Sequence, residues 1–171
     1  RGKGLYFSQK RLKKHLRAHY KKYGRSGYIV LIDLKQFFPT APREKIRDRH
    51  KTYFTNEEIV QFADYLIDIL PTDTGMPLGI ETSQLEMVSL PTAIDTYFKC
   101  QLSVKGYAHY MDDFYMLAET KERAHFLLNK FEEKITELGL NISKNKSKII
   151  PLTKSFKYCK TKYTLCENGK I

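Results

Sequence analysis

Two adjacent acids, Asp112 and Asp113, stand in the middle of an apolar and aromatic stretch over residues 108–117. Aspartate is depleted in strands and favoured in turns, so the pattern predicts a β-hairpin with both carboxylates at its tip. Side chains alternate along a strand, so neighbouring acids cannot both face a core, whereas at a tip one or both can reach a cation. On this stretch alone, an ordinary solvated turn is the favoured interpretation.

A third acid, Asp33, ends a near-continuous apolar run over residues 27–34. Such a run is typical of a strand buried on both faces, and an aspartate at its end is either a helix cap or a functional acid. Three carboxylates from two neighbouring strands suit a pair of Mg²⁺ ions, which prefer oxygen ligands and retain water and substrate phosphates. Two such ions, about 4 Å apart, activate a hydroxyl and stabilise a leaving pyrophosphate. If Asp33 meets the hairpin tip, the expected chemistry is therefore nucleotidyl transfer.

The rest of the sequence predicts the elements that position these acids. The apolar spacing predicts a basic helix over 8–23, capped by Ser8 and ended by Gly24. A capping box at 55–58 begins another helix, which ends at Pro71. Further helices are predicted from Pro42, from Thr82 or Ser83 to about Leu102, and from Thr120 to Gly139, with a strand at 148–150 and a small hairpin after Phe156.

Pro91 should kink or split the helix that precedes the aspartate hairpin. Helices that cover one face of an antiparallel sheet give an α+β layer, in which the first strand can end beside the hairpin tip. The apolar members of the long helix are expected in the core, namely Leu85, Val88, Ala93, Ile94, Tyr97 and Phe98.

The charge of the chain is distributed unevenly. The 171 residues suit one domain, their 42% hydrophobic content can supply a core, and the net charge is +11. Residues 1–25 carry +10 and residues 141–171 carry +7, whereas residues 26–140 carry −6. Basic flanks around an acidic centre suit a protein that grips a polyanion at its edges and holds cations in the middle. The alternative is a lysine-rich surface that only aids solubility.

Several classes of protein are not expected. The sequence has no apolar run that could span a bilayer and no signal peptide, and Arg1 at its start suggests a piece of a longer protein. Its three cysteines form no close-spaced metal pattern, which indicates reduced thiols and a cytoplasmic location. His15 and His19 lie four residues apart, but without a third ligand nearby they are interpreted as part of the basic surface.

In order and approximate spacing, these motifs resemble the palm motifs of reverse transcriptases. The resemblance covers nearly the whole chain and implies a ferredoxin-like antiparallel sheet with helices on one face. It implies a basic remnant of the fingers at 1–26, the palm at 27–152 and a primer-grip-like hairpin at 153–171, without full fingers or thumb. The matching residues are Asp33 with Phe37-Phe38, Gly75-x-Pro77-x-Gly79 with Ser83-Gln84, Tyr110-Met111-Asp112-Asp113, Leu138-Gly139-Leu140 through Lys146-Ser147-Lys148, and Phe156-Lys157-Tyr158.

The resemblance implies a catalytic role for each acid. Asp33 and Asp112 would be the main metal ligands, with help from Asp113 and the backbone of Leu34. Two Mg²⁺ ions are expected, with Mn²⁺ as a substitute. Activity of this piece alone is left open.

The resemblance also implies a nucleotide site. Phe38 takes the position of the ribose gate, where a ring beneath the sugar leaves no room for a 2′-hydroxyl and favours deoxynucleotides. Phe37 would assist or simply pack in the core. The loop with Pro77, Leu78 and Gly79 would lie under the nucleotide, because glycine lets the backbone approach it closely. Lys146 would neutralise the departing pyrophosphate or be a surface lysine.

The expected partners are an RNA template, a DNA or RNA primer and deoxynucleotides, without a membrane. Within the family, the glycine-proline-glycine loop is most similar to diversity-generating and phage-defence enzymes of bacteria and phages. A catalytically inactive nucleic-acid-binding palm and a palm-type nucleotidyl cyclase are the alternatives. The expected template and primer contacts are Ser83, Gln84, Tyr110, Met111, Phe156, Tyr158, Lys13, Lys14 and Arg17.

Overall fold

The computed structural model describes residues 4–171. Its helices are α1 (Leu5–Tyr23), α2 (Arg43–Tyr53), α3 (Glu57–Asp68), α4 (Glu81–Ser89), α5 (Thr92–Thr96) and α6 (Lys121–Glu137), and a π-helical turn, Tyr97–Gln101, continues α5. Its strands are β1 (Tyr28–Asp33), β2 (Tyr107–Tyr110), β3 (Asp113–Ala118), β4 (Lys148–Pro151), β5 (Phe156–Tyr158) and β6 (Thr161–Tyr163). This mixture of helices and strands confirms the predicted α+β class.

The central sheet positions the predicted acids. Its strand order is β2-β3-β1-β4, and every neighbouring pair is antiparallel. The register between β1 and β3 runs from Tyr28 opposite Ala118 to Asp33 opposite Asp113. The first strand therefore ends beside the aspartate hairpin, as the sequence predicted.

Both faces of this sheet are covered. On one face, Val30, Ile32 and Phe114 pack in the same core as apolar residues of α6. On the other face, Ile29, Tyr115 and Leu117 pack against α1 and the separate β5–β6 hairpin. The predicted layer had helices on one face only, whereas α1 covers the second. The residues that reach this second core from α1 and the small hairpin are Leu12, Leu16, Phe156, Tyr158 and Tyr163.

The predicted caps of α1 and α3 are wrong. Helix α1 begins after Gly4, so Ser8 lies inside it, where its buried hydroxyl is 2.8 Å from the hydroxyl of Tyr158. Helix α3 is capped by Asn56 rather than Thr55, because the Asn56 side chain accepts hydrogen bonds from two amides of the first turn. Neighbouring polar residues have similar capping ability, so local sequence alone does not select between them.

The long helix predicted before the hairpin is divided at Pro91 into α4 and α5, which confirms the predicted split. Neither Thr82 nor Ser83 caps α4, which begins after Ile80 without a side-chain cap. Three residues expected in the core are exposed, namely Leu85, Val88 and Ala93.

Helix α3 packs against α2 and leaves much of its apolar side open. Phe62 is 61% exposed. His50 of α2 is buried, with Nδ1 2.7 Å from a carboxylate oxygen of Asp64 on α3 and Nε2 3.2 Å from one of Glu86 on α4. One histidine thus connects three helices. Within residues 4–171, no helix has both the length and the apolar character needed to cross a bilayer.

Candidate active site

Asp33, Asp112 and Asp113 line one cleft of about 820 Å³. Asp33 ends β1, and Asp113 begins β3 directly opposite it. Asp112 lies in the two-residue turn between β2 and β3. Only Asp112 is therefore at the tip where the sequence predicted both acids, and Asp113 already belongs to a strand.

The turn that carries Asp112 is held by its own backbone. Met111 has a φ of 54°, in the left-handed region that two-residue hairpin turns require and that a side chain disfavours. The amide of Leu34 donates to the carbonyl of Asp112 at 3.3 Å, which ties the turn to the end of β1. Nδ1 of His109 lies 3.3 Å from the carbonyl of Met111 and supports the turn from β2.

The carboxylates of the cleft lack full compensation for their charge. Burial raises the pKa of Asp113, and the negative charges of Asp112 and Asp33 raise it further. Asp33 has a side chain that is 18% exposed, and its buried Oδ1 accepts no hydrogen bond. Nζ of Lys146 lies 3.2 Å from that oxygen and provides the nearby positive charge. The arrangement concentrates negative charge that a bound cation would neutralise.

Two residues complete the rim around the acids. Lys146 follows a loop whose Ser143 amide donates to the carbonyl of Asp33 at 2.7 Å. Cys159, in the turn between β5 and β6, contacts Asp113 through its thiol, and burial together with that carboxylate raises the pKa of Cys159 to about 12. Lys146 was predicted from the sequence, whereas Cys159 was not, because it has no local signature besides its place in the small hairpin.

A family model described as reverse transcriptase (RNA-dependent DNA polymerase) matches residues 5–160. The chain belongs to the reverse transcriptase family. Comparison with curated proteins gives no significant match. The resemblance inferred from the ordered motifs is confirmed, and the sheet with its aspartate hairpin is a reverse transcriptase palm. This family comprises nucleotidyltransferases that act on nucleic acids and nucleotides and generally use divalent metals.

The residues of this reverse transcriptase palm fit a hard divalent cation. Carboxylate oxygens are the ligands that Mg²⁺ prefers, and the buried Oδ1 of Asp33 is paired only with the exposed ammonium of Lys146, 3.2 Å away. Across residues 4–171, no three histidine, cysteine or acidic side chains converge closely enough to enclose an ion. A divalent cation held by the acids of the cleft would therefore need further ligands, such as water or substrate phosphates.

The predicted ribose gate lies against the glycine-proline-glycine loop. Phe38 is half-buried and packs edge-to-face on Phe37, with ring centroids 5.7 Å apart. The amide of Met76 donates to the carbonyl of Phe38 at 2.9 Å. Gly75 has a φ of 66°, and a Cβ there would lie 2.3 Å from the carbonyl oxygen of Pro39. Glycine is therefore required for the loop to approach the gate so closely.

Arg43 fixes the start of this loop, a role that the sequence analysis missed. Its Nε donates to the carbonyl of Gly75 at 2.8 Å, and its Nη2 donates to the carbonyl of Thr72 at 2.6 Å. Beyond this anchor, Pro77 is half-buried, whereas Leu78 and Gly79 are exposed. The loop is thus anchored at one end and open to solvent at the other.

Three predicted contacts with template or primer have buried side chains. Ser83 is fully buried, and its hydroxyl has no partner among the described residues, so its contact with a template stays a prediction. Phe156 and Tyr158 are each 3% exposed and pack in the second core. Both rings also line the cleft together with Lys157, which lies between them and is the exposed residue of the three. The two rings support the hairpin, and its lysine presents the accessible charge.

The other predicted contacts occupy different surfaces. Gln84 is exposed on α4, while Tyr110 and Met111 are half-buried beside the aspartates. Leu34 is buried, and its backbone pairs with Ile142. The basic residues of α1 predicted to contact nucleic acid do not line the cleft, namely Lys13, Lys14 and Arg17.

A further acid, Asp95 of α5, lies behind the hairpin and was not among the residues predicted from the sequence. It accepts a hydrogen bond from the hydroxyl of Tyr107 at 2.7 Å, and its other oxygen is 3.2 Å from Nε2 of His109. Nζ of Lys99 lies 3.1 Å from it. Burial by itself would raise the pKa of Asp95, but these three partners lower it to about 2. Asp95 thus orients His109, which in turn supports the turn carrying Asp112.

Proposed function

We propose that this protein is an RNA-directed DNA polymerase that extends a primer 3′-hydroxyl with deoxynucleotides at the aspartate cleft. The observation that carries the proposal is the register of β1 and β3, which pairs Asp33 with Asp113 beside the turn of Asp112. In a reverse transcriptase palm, this is the arrangement that nucleotidyl transfer needs. Asp33 and Asp113 stand on strands, which hold ligands more precisely than loops, and Asp112 stands in the tight turn beside them.

The three acids have distinct proposed roles. Asp33 and Asp112 are the main ligands of two Mg²⁺ ions, for which Mn²⁺ can substitute, and Asp113 with the Leu34 backbone assists. When bound, the ions supply activation of the primer hydroxyl and stabilisation of pyrophosphate. Lys146, near Asp33, balances negative charge as the triphosphate arrives and pyrophosphate leaves.

Phe38 is proposed to select deoxynucleotides. Its backbone carbonyl holds the loop that starts at Gly75, so that an incoming sugar on this loop would meet the half-buried ring. An aromatic ring offers no hydrogen-bond acceptor to a 2′-hydroxyl and occupies the space that this group needs. Exclusion of ribonucleotides follows from shape and from the missing hydrogen bond together.

Primer extension tests the proposed activity. The protein is incubated with Mg²⁺, an RNA template and an annealed DNA primer, with either deoxynucleotides or ribonucleotides. Template-dependent products from deoxynucleotides support the proposal, and products that form without a template contradict it. A single nucleotide without primer or template is the matched control, because a cyclic product from that reaction would indicate a nucleotidyl cyclase instead.

Substitution of the gate tests the selectivity. The variant Phe38→Val should reduce the ratio of deoxynucleotide to ribonucleotide incorporation by roughly 10- to 100-fold. This is the range expected when a close steric contact is lost. Phe37→Leu is the control, because Phe37 is buried in the core. Equal use of ribonucleotides by the unmodified protein would refute the gate.

A further inference from the structure

A second cavity lies at the opposite end of the aspartate hairpin. It has a volume of about 360 Å³ and is formed by the C-terminal end of α1, the base of the β2–β3 hairpin and α6. Gly106 and Leu117, on its wall, stand at the end of the hairpin that is distant from the turn at Asp112. Its lining shares no residue with the catalytic cleft.

The charged groups on this cavity are mostly basic. Lys22 comes from α1, Lys105 from the segment before β2 and Arg123 from α6, while Glu119 is the single acid on the lining. Within residues 4–171, none of the three basic side chains forms an ion pair. Three separate elements therefore bring a net positive charge to one cavity.

One of the two histidines on the α1 wall, His15, does not add to this charge at neutral pH. Burial, and the positive charges of Arg11 and Lys14, lower the pKa of His15 to about 4. The floor of the cavity is apolar and includes Leu117 and Leu127, which are buried. A ligand that fits has an anionic group for the basic residues and a less polar body for the floor.

Helix α1 connects the cavity to the catalytic cleft. Near its start, Gln9 donates to the hydroxyl of Thr161 on the small hairpin, which also contributes to the cleft. Near its end, His19 lies at the cavity. These two positions are ten residues apart, which corresponds to about 15 Å at the rise of an α-helix. Basic side chains are exposed along this length and just beyond it, namely Lys10, Arg11, Lys14, Arg17 and Lys21.

We propose that this cavity binds a phosphate group of a nucleic-acid strand that continues along α1 from the catalytic cleft. Lysine and arginine groups from three elements can surround a phosphate, and an arginine can donate two hydrogen bonds to it. The volume is large enough to take the adjoining sugar or base against the apolar floor. The choice of a polynucleotide rests on the proposed function, whereas the phosphate chemistry rests on the cavity alone.

Binding of a labelled single-stranded RNA oligonucleotide, followed by fluorescence anisotropy over a range of salt concentrations, tests this site. The variant with Lys105→Gln and Arg123→Gln should bind more weakly, and the slope of log affinity against log salt should fall by about 1 to 2. The control variant with Lys45→Gln and Lys121→Gln removes equal charge from exposed positions outside the cavity. Equal affinities and slopes for the two variants would overturn the proposal.

A milder variant and a second probe make the result decisive. Arg123 stacks on Phe126, so Lys105→Gln alone, at an exposed side chain, provides a milder variant if the double variant unfolds. Adenosine monophosphate is the second probe. If it binds the cavity as tightly as the oligonucleotide, the site takes a free nucleotide and the continuing strand is refuted.

The same measurement in an Asp112→Asn protein separates this site from the proposed polymerase activity. In that protein, the cavity variant should still bind RNA more weakly than the control variant, because the cavity lies apart from the aspartates. If the unmodified protein makes no DNA but the cavity difference remains, the proposed function fails while the phosphate site stands. If DNA is made but the cavity variants match the control, the phosphate site fails alone.

Discussion

The aspartate hairpin has an acidic site on each of its two faces, and the two are built differently. On the face toward α5, Asp95 is surrounded by Tyr107, His109 and Lys99, and its pKa is lowered to about 2. On the other face, burial and two neighbouring carboxylates raise the pKa of Asp113. The first acid is satisfied by the fold, whereas the second is left with charge that the fold does not compensate.

This difference distinguishes a structural acid from a functional one. A buried carboxylate with a full set of donors stabilises the elements around it. Carboxylates that repel one another destabilise the fold and persist where their charge has a use, such as binding a cation. The hairpin therefore uses one face for its own support and the other for chemistry.

Asp113→Asn is expected to have a large effect on activity and an opposite effect on stability. DNA synthesis should fall on the order of 10³-fold, since charge at the reacting centre is lost. The melting temperature at neutral pH should rise instead, because a carboxyl with a raised pKa is disfavoured as an ion in the folded state. In the unmodified protein, the folded state loses stability as the pH rises above 3.8, the ordinary pKa of an aspartate carboxyl. Calorimetric melting curves of the two proteins at several pH values provide the measurement.

Mg²⁺ provides the control for that experiment. The ion should raise the melting temperature of the unmodified protein, since ligands that bind only the folded state stabilise it. It should have a smaller effect on the Asp113→Asn variant. A variant that melts lower than the unmodified protein without Mg²⁺ would show that Asp113 is a structural acid like Asp95.

The second prediction concerns Asp95→Asn. Loss of charge-assisted hydrogen bonds to Tyr107 and His109 should reduce the free energy of unfolding by about 1–3 kcal/mol. Because the pKa of Asp95 is lowered to about 2, its stabilisation is complete above 3.8 and is lost as the pH falls toward 2. Urea unfolding of the variant should lack this part of the acid dependence.

Asp48→Asn is the matched control for this substitution, because Asp48 is exposed on α2 and forms no ion pair within the described residues. Its free energy of unfolding should change by less than about 0.5 kcal/mol. If the two variants were equally stable, Asp95 would not support the hairpin.

The smallest expected effect on stability comes from Lys146→Gln. The lysine side chain is 69% exposed, so loss of its ion pair with Asp33 should change stability by about 1 kcal/mol or less. The rate of nucleotide addition should fall by roughly 10-fold or more, as expected for a group that assists the leaving pyrophosphate. Pre-steady-state incorporation of one nucleotide separates this rate from nucleotide affinity. An unchanged rate would assign Lys146 to the surface.

The functional face could be predicted from sequence because its signals are local. The apolar run before Asp33 indicated a buried strand, and the paired acids within an aromatic stretch indicated a hairpin. Antiparallel pairing then brings the two together, as the register between Asp33 and Asp113 confirms. Order and spacing of the motifs supplied the family, which the family model confirms.

The supporting face could not be predicted, because its partners are set by tertiary packing. Asp95 carries only a helical spacing to Lys99, and nothing nearby indicates its contacts with Tyr107 and His109. The same limit applies to Phe156 and Tyr158, since alternation places them on one face but does not say whether that face is covered. Here α1 and the sheet cover it.

The central claim is tested most directly by the single-turnover rate of deoxynucleotide addition on an RNA template. The comparison is between Asp33→Asn and Asp95→Asn, one acid from each face, with folding verified by circular dichroism. Asp33→Asn should lose on the order of 10³-fold or more, and Asp95→Asn should stay within about 10-fold of the unmodified protein per folded molecule. Equal losses, or a folded Asp33→Asn protein with full activity, would contradict the division of the hairpin into a catalytic and a supporting face.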